Sequence, residues 1–260
     1  MVTGGANLEN NKGECLLSGL ELLIALAAVL VGATIMGTVS FGMGLVVTPI
    51  LLLFLAPQSA VVVVNGIILI LLSAVLFNTR RHFDLSLMWK LGAGGVIAAP
   101  IGVLALSSAN PTLLRITIAV AILFLGILSL FDVQIPLAKR KSAGFYFGFL
   151  TSLSVSALSI GGPLAVIYVI AQNWPREVMR VALAYFFVSS YAVAFVVYAA
   201  VGLTDRDTLI NIGLLVPALA VGFGLATRLV RRINESVFRY VAIAVIITGS
   251  VALLVREFAL

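Results

Sequence analysis

Ten apolar runs, separated only by short loops rich in charge, glycine or proline, fill the chain from residue 17 to residue 255. They cover about 17–38, 44–56, 58–78, 85–106, 113–131, 143–159, 162–172, 177–201, 208–229 and 237–255. Eight of the ten are long enough to cross a bilayer as helices, which satisfy their own backbone polar groups. Such a chain has no way to bury its apolar surface in itself. Of 260 residues 62% are hydrophobic and 10% charged, and the mean hydropathy is +1.21. Lipid is therefore the solvent, and the expected fold class is an all-α integral membrane protein.

Composition also excludes several chemistries. The polar segment 1–16 has no basic region leading directly into an apolar one, so it does not read as a signal peptide. Cys15 is the single cysteine and His82 the single histidine, which excludes intrachain disulfides, thiolate clusters and multi-histidine metal sites. Neither a metal nor another cofactor is expected. An intramembrane enzyme is not expected either, because a lone loop histidine supplies no nucleophile–base pair. The sequence pI of about 9.8 does not indicate nucleic acid, since the basic residues fall in loops that orient a membrane chain.

Two runs are short and broken. SFGMGLVVTP (Ser40 to Pro49) and SIGGPLAVIY (Ser159 to Tyr168) each interrupt a hydrophobic stretch with glycine and proline. The segment 44–56 has 13 residues, about 20 Å of helix against a hydrocarbon core of about 30 Å. Charge decides whether such segments cross. If all ten cross, Lys12, Arg115, Arg206 and Arg256 lie on the N-terminal side and the other 12 of the 16 basic residues lie opposite. If the short segments turn back, the bias vanishes. The positive-inside rule thus predicts ten crossings in a cell (inner) membrane, basic loops cytoplasmic and both termini outside.

A repeat runs through these segments. NPTLLR (Asn110 to Arg115) and NESVFR (Asn234 to Arg239) stand 124 residues apart, each at the opening of its half's last helix. Asp84 and Asp207 open the fourth and ninth segments, where a carboxylate caps free amides. Pro49 matches Pro163, and Pro57 matches Pro175. Five segments per half is odd, so the second copy is inverted in the membrane. The expected organisation is a polar segment 1–16, a first repeat 17–132, a basic cytoplasmic linker 133–142 and an inverted second repeat 143–260.

Paired broken helices at matching places mark a transporter's binding site. Because both short helices fall short of a full span, both turns approach the midplane and present helix N-termini there. A helix N-terminus carries free amides and about half a positive charge. Candidate substrate-binding residues are therefore Ser40, Gly42, Gly44, Thr48 and Pro49 from the first break, and Ser159, Gly161, Gly162 and Pro163 from the second. Ser152, Ser156 and Ser159 share one helix face, equally suited to the site or to close helix packing. Asn65, Ser189 and Tyr191 are candidates for the path, with helix–helix hydrogen bonding the alternative. Arg180 and Arg239 are candidates for the cytoplasmic mouth, with snorkelling to headgroups the alternative. Glu21, the only carboxylate well inside an apolar run, is the one candidate for a coupling proton, or else an interfacial glutamate. Gly92, Gly94, Gly95, Gly144 and Gly148 read as packing positions. The site so built is an anion site without fixed charge.

FGMGLVVTP, APQSAVVVV, RRHFD and GGPLAVIYVIAQNWPREVMR together resemble the sulfite exporter TauE/SafE family of anion transporters, over about residues 20–255. Phe41 and Met43 stand where many members run several glycines together. The resemblance implies a sulfur-containing anion as substrate: sulfite, thiosulfate or an organosulfonate. The expected function is export of such an anion by alternating access around the midplane site. The alternatives are a non-transporting membrane scaffold or assembly factor, and an importer of another small organic anion.

Overall fold

The computed structural model describes residues 16–39, 41–79, 83–128, 136–140, 142–160 and 162–229. These residues form α1 (Gly19–Val39), α2 (Met43–Leu51), α3 (Pro57–Thr79), α4 (Leu85–Ser108), α5 (Pro111–Leu128), a 3-10 turn at Pro136–Lys139, α6 (Ala143–Leu158), α7 (Gly162–Ala171), α8 (Arg176–Ala200) and α9 (Arg206–Leu229). The described residues contain no strand. Each helix coincides with one of the first nine predicted segments. The tenth, 237–255, lies outside the described residues.

Five helices, α1, α3, α4, α8 and α9, are long and apolar enough to cross a membrane. Of the eight long segments expected from the sequence, 237–255 lies outside the described residues, and five of the other seven form such helices. The 16 residues of α6 reach only about 24 Å, because Ser159 turns left-handed (φ 61°) and ends the helix. In α5 the described apolar stretch is Pro111–Phe124. The first short helix also stops earlier than 56: Leu53 and Phe54 donate backbone hydrogen bonds three residues back, to Ile50 (3.2 Å) and Leu51 (3.0 Å). That tight turn delivers the chain to Pro57 at the first position of α3, where a missing N–H costs nothing.

The bundle is apolar outside as well as inside. Leu20, Leu23, Phe77, Leu113, Phe124 and Val196 are exposed, while Thr48, Asn65, Thr151, Ser152, Ser156, Ser190 and Asn211 are fully buried. Exposed leucine and phenylalanine suit lipid, and the buried hydroxyls and amides lie within the helix packing. Loop ends are capped as in any helical protein. Asp84 accepts from the Ser86 amide (2.9 Å) and hydroxyl (2.7 Å), and those bonds hold its carboxyl below the usual carboxylate range. Asn110 accepts from the Thr112 amide at 3.0 Å. For α9 the cap is Asp205, accepting from Thr208 at 2.8 Å, rather than the expected Asp207. The reason is position: Asp207 already lies inside the first turn, and the cap is the residue before it.

Close helix contacts run through glycine. A side chain on Gly94 or Gly148 would strike a backbone carbonyl across the α4–α6 interface, that of Phe145 or Leu91. On α9, a Cβ at Gly222 would lie 2.6 Å from the Leu30 carbonyl of α1. Thr34 of α1 bonds back to Gly222 of α9 at 3.2 Å. In the middle, α3 packs on α8 and α9, with Gly66 facing Phe195 and Ile212. Elements early in the chain thus pack chiefly on elements late in it.

Candidate functional site

The two sequence breaks meet. The first turn needs glycine twice over. Gly42 has φ 99°, which side chains disfavour, and Gly44 faces the Ser159 carbonyl so closely that a Cβ would overlap it. In the opposite sense, a Cβ on Gly162 would lie 3.0 Å from Cβ of Phe41. The opening residues of α2 therefore touch the turn that leads into α7, and the opening of α7 touches the turn that leads into α2.

Between them lies a small, partly open pocket with about 20 Å³ of space for water. Its polar lining comes from the turns themselves (Gly42, Gly44, Ser159 and Gly162) and from Tyr191 of α8. Met36, Phe41, Leu45, Ile68, Val155, Ile160 and Phe187 make the remaining walls. Among the described residues, no lysine, arginine or histidine lines it. Both α2 and α7 direct their N-terminal turns here, each worth about half a positive charge at close range.

Two other helices end at the same place with the opposite polarity. The carbonyl ends of α1 and α6 would cancel the amide ends if left free. At each, a side chain from another helix bonds to a carbonyl of the last turn. Arg180 of α8 donates from Nη2 to the Gly37 carbonyl in the last turn of α1, at 2.8 Å. Asn65 of α3 donates from Nδ2 to the Val155 carbonyl near the end of α6 (2.9 Å) and to the Tyr198 hydroxyl (2.8 Å). The Tyr198 hydroxyl donates in turn to the Ser156 carbonyl, and the Ser159 hydroxyl donates to Asn65 Oδ1 at 2.5 Å. One carbonyl at the end of α1 and two near the end of α6 thus accept side-chain hydrogen bonds, while the openings of α2 and α7 face the pocket.

Of the residues singled out in the sequence, Gly42, Gly44, Ser159, Gly162 and Tyr191 line this pocket. Thr48, Pro49 and Pro163 are buried in the short helices without lining it. The Thr48 hydroxyl has no hydrogen-bond partner among the described residues. Asn65 and Arg180 support the turns instead of lining the space. Ser189 bonds to the Phe186 carbonyl of its own helix at 2.9 Å. Ser152 bonds to the Gly95 carbonyl (2.7 Å) and to Ser190, a helix–helix contact. Glu21 is exposed in the first turn of α1 and does not line the pocket. Ser40, Gly161 and Arg239 lie outside the described residues. Sequence reading missed the apolar wall of Met36, Leu45, Ile68 and Phe187 and the role of Tyr198, because nothing distinguishes these residues within uninterrupted apolar runs.

A helical bundle with an apolar exterior, several helices long and apolar enough to cross a membrane, and two abutting broken helices fits a multi-pass membrane protein of transporter type. Residues 24–253 match the family model described as sulfite exporter TauE/SafE, and the chain belongs to that family of membrane transporters of sulfur anions. Neither the curated proteins nor the solved structures contain a match.

Proposed function

We propose that this chain exports a small sulfur-containing anion (sulfite, thiosulfate or an organosulfonate) by alternating access around the pocket between α2 and α7. The single observation that carries this reading is the mutual contact of the two breaks, Gly44 on the Ser159 carbonyl and Gly162 on Phe41. Two helix N-termini that share one lined space can act on one ligand. The family supplies the ligand's class.

The inverted repeat is part of the proposal, and the packing supports it. Exchanging α1, α2, α3 and α4 for α6, α7, α8 and α9 turns the α4–α6 contact into α9–α1 and the α3–α9 contact into α8–α4. It also turns α1–α2 into α6–α7 and α2–α3 into α7–α8, and all of these contacts occur. The supports correspond too: Asn65 on α3 holds the end of α6, and Arg180 on α8 holds the end of α1. Pairs related in this way can exchange roles as one half rocks against the other. With the basic loops cytoplasmic, an inside-negative potential drives anion efflux by about 2.3 kcal/mol per charge per 100 mV, so export needs no coupling ion.

The test is flux in proteoliposomes against sulfite, thiosulfate, sulfate, sulfoacetate and a plain carboxylate. Saturable flux of one or more sulfur anions is expected. Indifference to all of them would favour a scaffold, and flux of the carboxylate alone would favour a carrier of another organic anion.

A further inference from the structure

The pocket between the two turns is shut. It holds about 20 Å³ of space for water, and a single water needs about 10–15 Å³ on that measure. Sulfite, a sulfur atom carrying three oxygens, does not fit between walls so placed. For the proposed anion to bind here, part of the wall has to move, and the inference rests on that transport reading.

The lining shows which part. Among the described residues that line the pocket, Phe41, Gly42 and Gly162 are partly exposed and all the others are buried. These three therefore frame its mouth, and Phe41 supplies the only side chain there. Phe41 also lies between α1 and α2, outside both helices, so it can move without carrying a helix with it. Met36, Leu45, Ile68 and Phe187, by contrast, sit in helices and are at most 4% exposed. Gly42 gives the backbone beside Phe41 a hinge, since its φ of 99° is open to glycine and strained for other residues. Across the mouth, Gly162 is the seat. A Cβ built there would lie 3.0 Å from Cβ and 3.3 Å from Cδ2 of Phe41, so the ring rests on the bare backbone that opens α7.

We propose that Phe41 is the lid of this pocket, and that its ring, seated on Gly162, limits the size of anion that enters. The ring turns away about Gly42 when an anion passes. Removing the ring leaves the mouth open and the site wider, and crowding its seat holds the mouth ajar.

The test has two arms, both on the full-length protein in liposomes. In a Cys15→Ser background, Val155→Cys places a thiol in the buried wall, and Val75→Cys places one in the core away from the pocket. With Phe41→Ala, a small water-soluble methanethiosulfonate reagent should modify the thiol at 155 at least about tenfold faster, because burial of the ring keeps the mouth shut. The rate at 75 should not change. Gly162→Ala should also speed modification at 155, and should add nothing once Phe41 is alanine. The second arm is flux of sulfite and of the bulkier benzenesulfonate, where Phe41→Ala should raise benzenesulfonate relative to sulfite by about tenfold. Unchanged modification at 155, equal acceleration at 75 or an unchanged flux ratio would overturn the inference and leave the transport reading standing. Faster modification at 155 alone, with no flux of any anion from the wild type, would remove the transport reading and keep Phe41 as the lid.

Discussion

Single residues set the geometry of the two turns, and each does so by a nameable contact. Gly44 has no room for a side chain, since any Cβ runs into the Ser159 carbonyl, a backbone atom that has little freedom to yield. We expect Gly44→Ala to force the α2 and α7 openings apart, costing about 1–3 kcal/mol by overpacking and far more in transport than in stability. Flux per folded protein, with thermal unfolding measured alongside, checks this. Asn65 is a sharper case, because it donates to Val155 and accepts from Ser159 with one amide group. Asn65→Asp keeps the shape but loses the donor, so it should be no milder than Asn65→Ala. Each orphaned buried group costs about 1–3 kcal/mol. Thermal melting of the two variants side by side decides the point: an innocuous Asn65→Asp would mean that the amide donates nothing that matters.

Among elements, the unit of interest is a helix end and the side chain that holds it. Arg180 reaches from α8 to the last turn of α1, directly before the first break. Its Nε is buried without a hydrogen-bond partner among the described residues. The Asn65 support is a closed set of buried bonds, whereas the Arg180 support is a single bond in a half-buried place. We expect Arg180→Ala to loosen the first turn and leave the second intact. In a Cys15→Ser background, a cysteine replacing Phe41 should then react faster with a membrane-impermeant maleimide, while one replacing Ile160 should not change. Equal acceleration at both positions would show that the whole pocket had opened.

The elements were legible to different degrees. Apolar runs bounded by Pro57, Asp84 and Pro175 fixed α3, α4 and α8 to within two residues, because lipid exposure demands long uninterrupted hydrophobicity. The end of α2 was not legible, since Leu52 to Leu55 are as apolar in a turn as in a helix. Nor were the supports. Asn65 stands out as the one amide in VVVVNGIILILL, but its partners lie 90 to 133 residues away and carry no local signal. Nothing in the sequence distinguishes Tyr191 from Tyr198, seven residues apart on one helix. Only the structure separates the hydroxyl that is engaged from the one that is not.

At the scale of the whole molecule, the pattern of packing matters more than any single contact. The contacts interleave the two halves, with α1 on α9, α4 on α6 and α3 on α8, so neither half has a separate core. The proposed inverted arrangement predicts that Lys90, near the start of α4, and Arg206, at the start of α9, face opposite sides of the membrane. Single cysteines at these positions, labelled from one side in sealed right-side-out vesicles, should give label at 206 and none at 90. Labelling of both from the same side would contradict the inverted arrangement and the charge-based orientation together.

The central claim is that the two broken helices form one site. The most direct measurement is sulfite flux from proteoliposomes containing equal amounts of folded wild-type, Gly44→Val or Gly162→Val protein. We expect saturable sulfite flux from the wild type and a loss of about a hundredfold in each variant, since displacement by an ångström at a positioned site has that effect. Wild-type flux in both variants would show that the meeting of the two turns is packing and that sulfite takes another route.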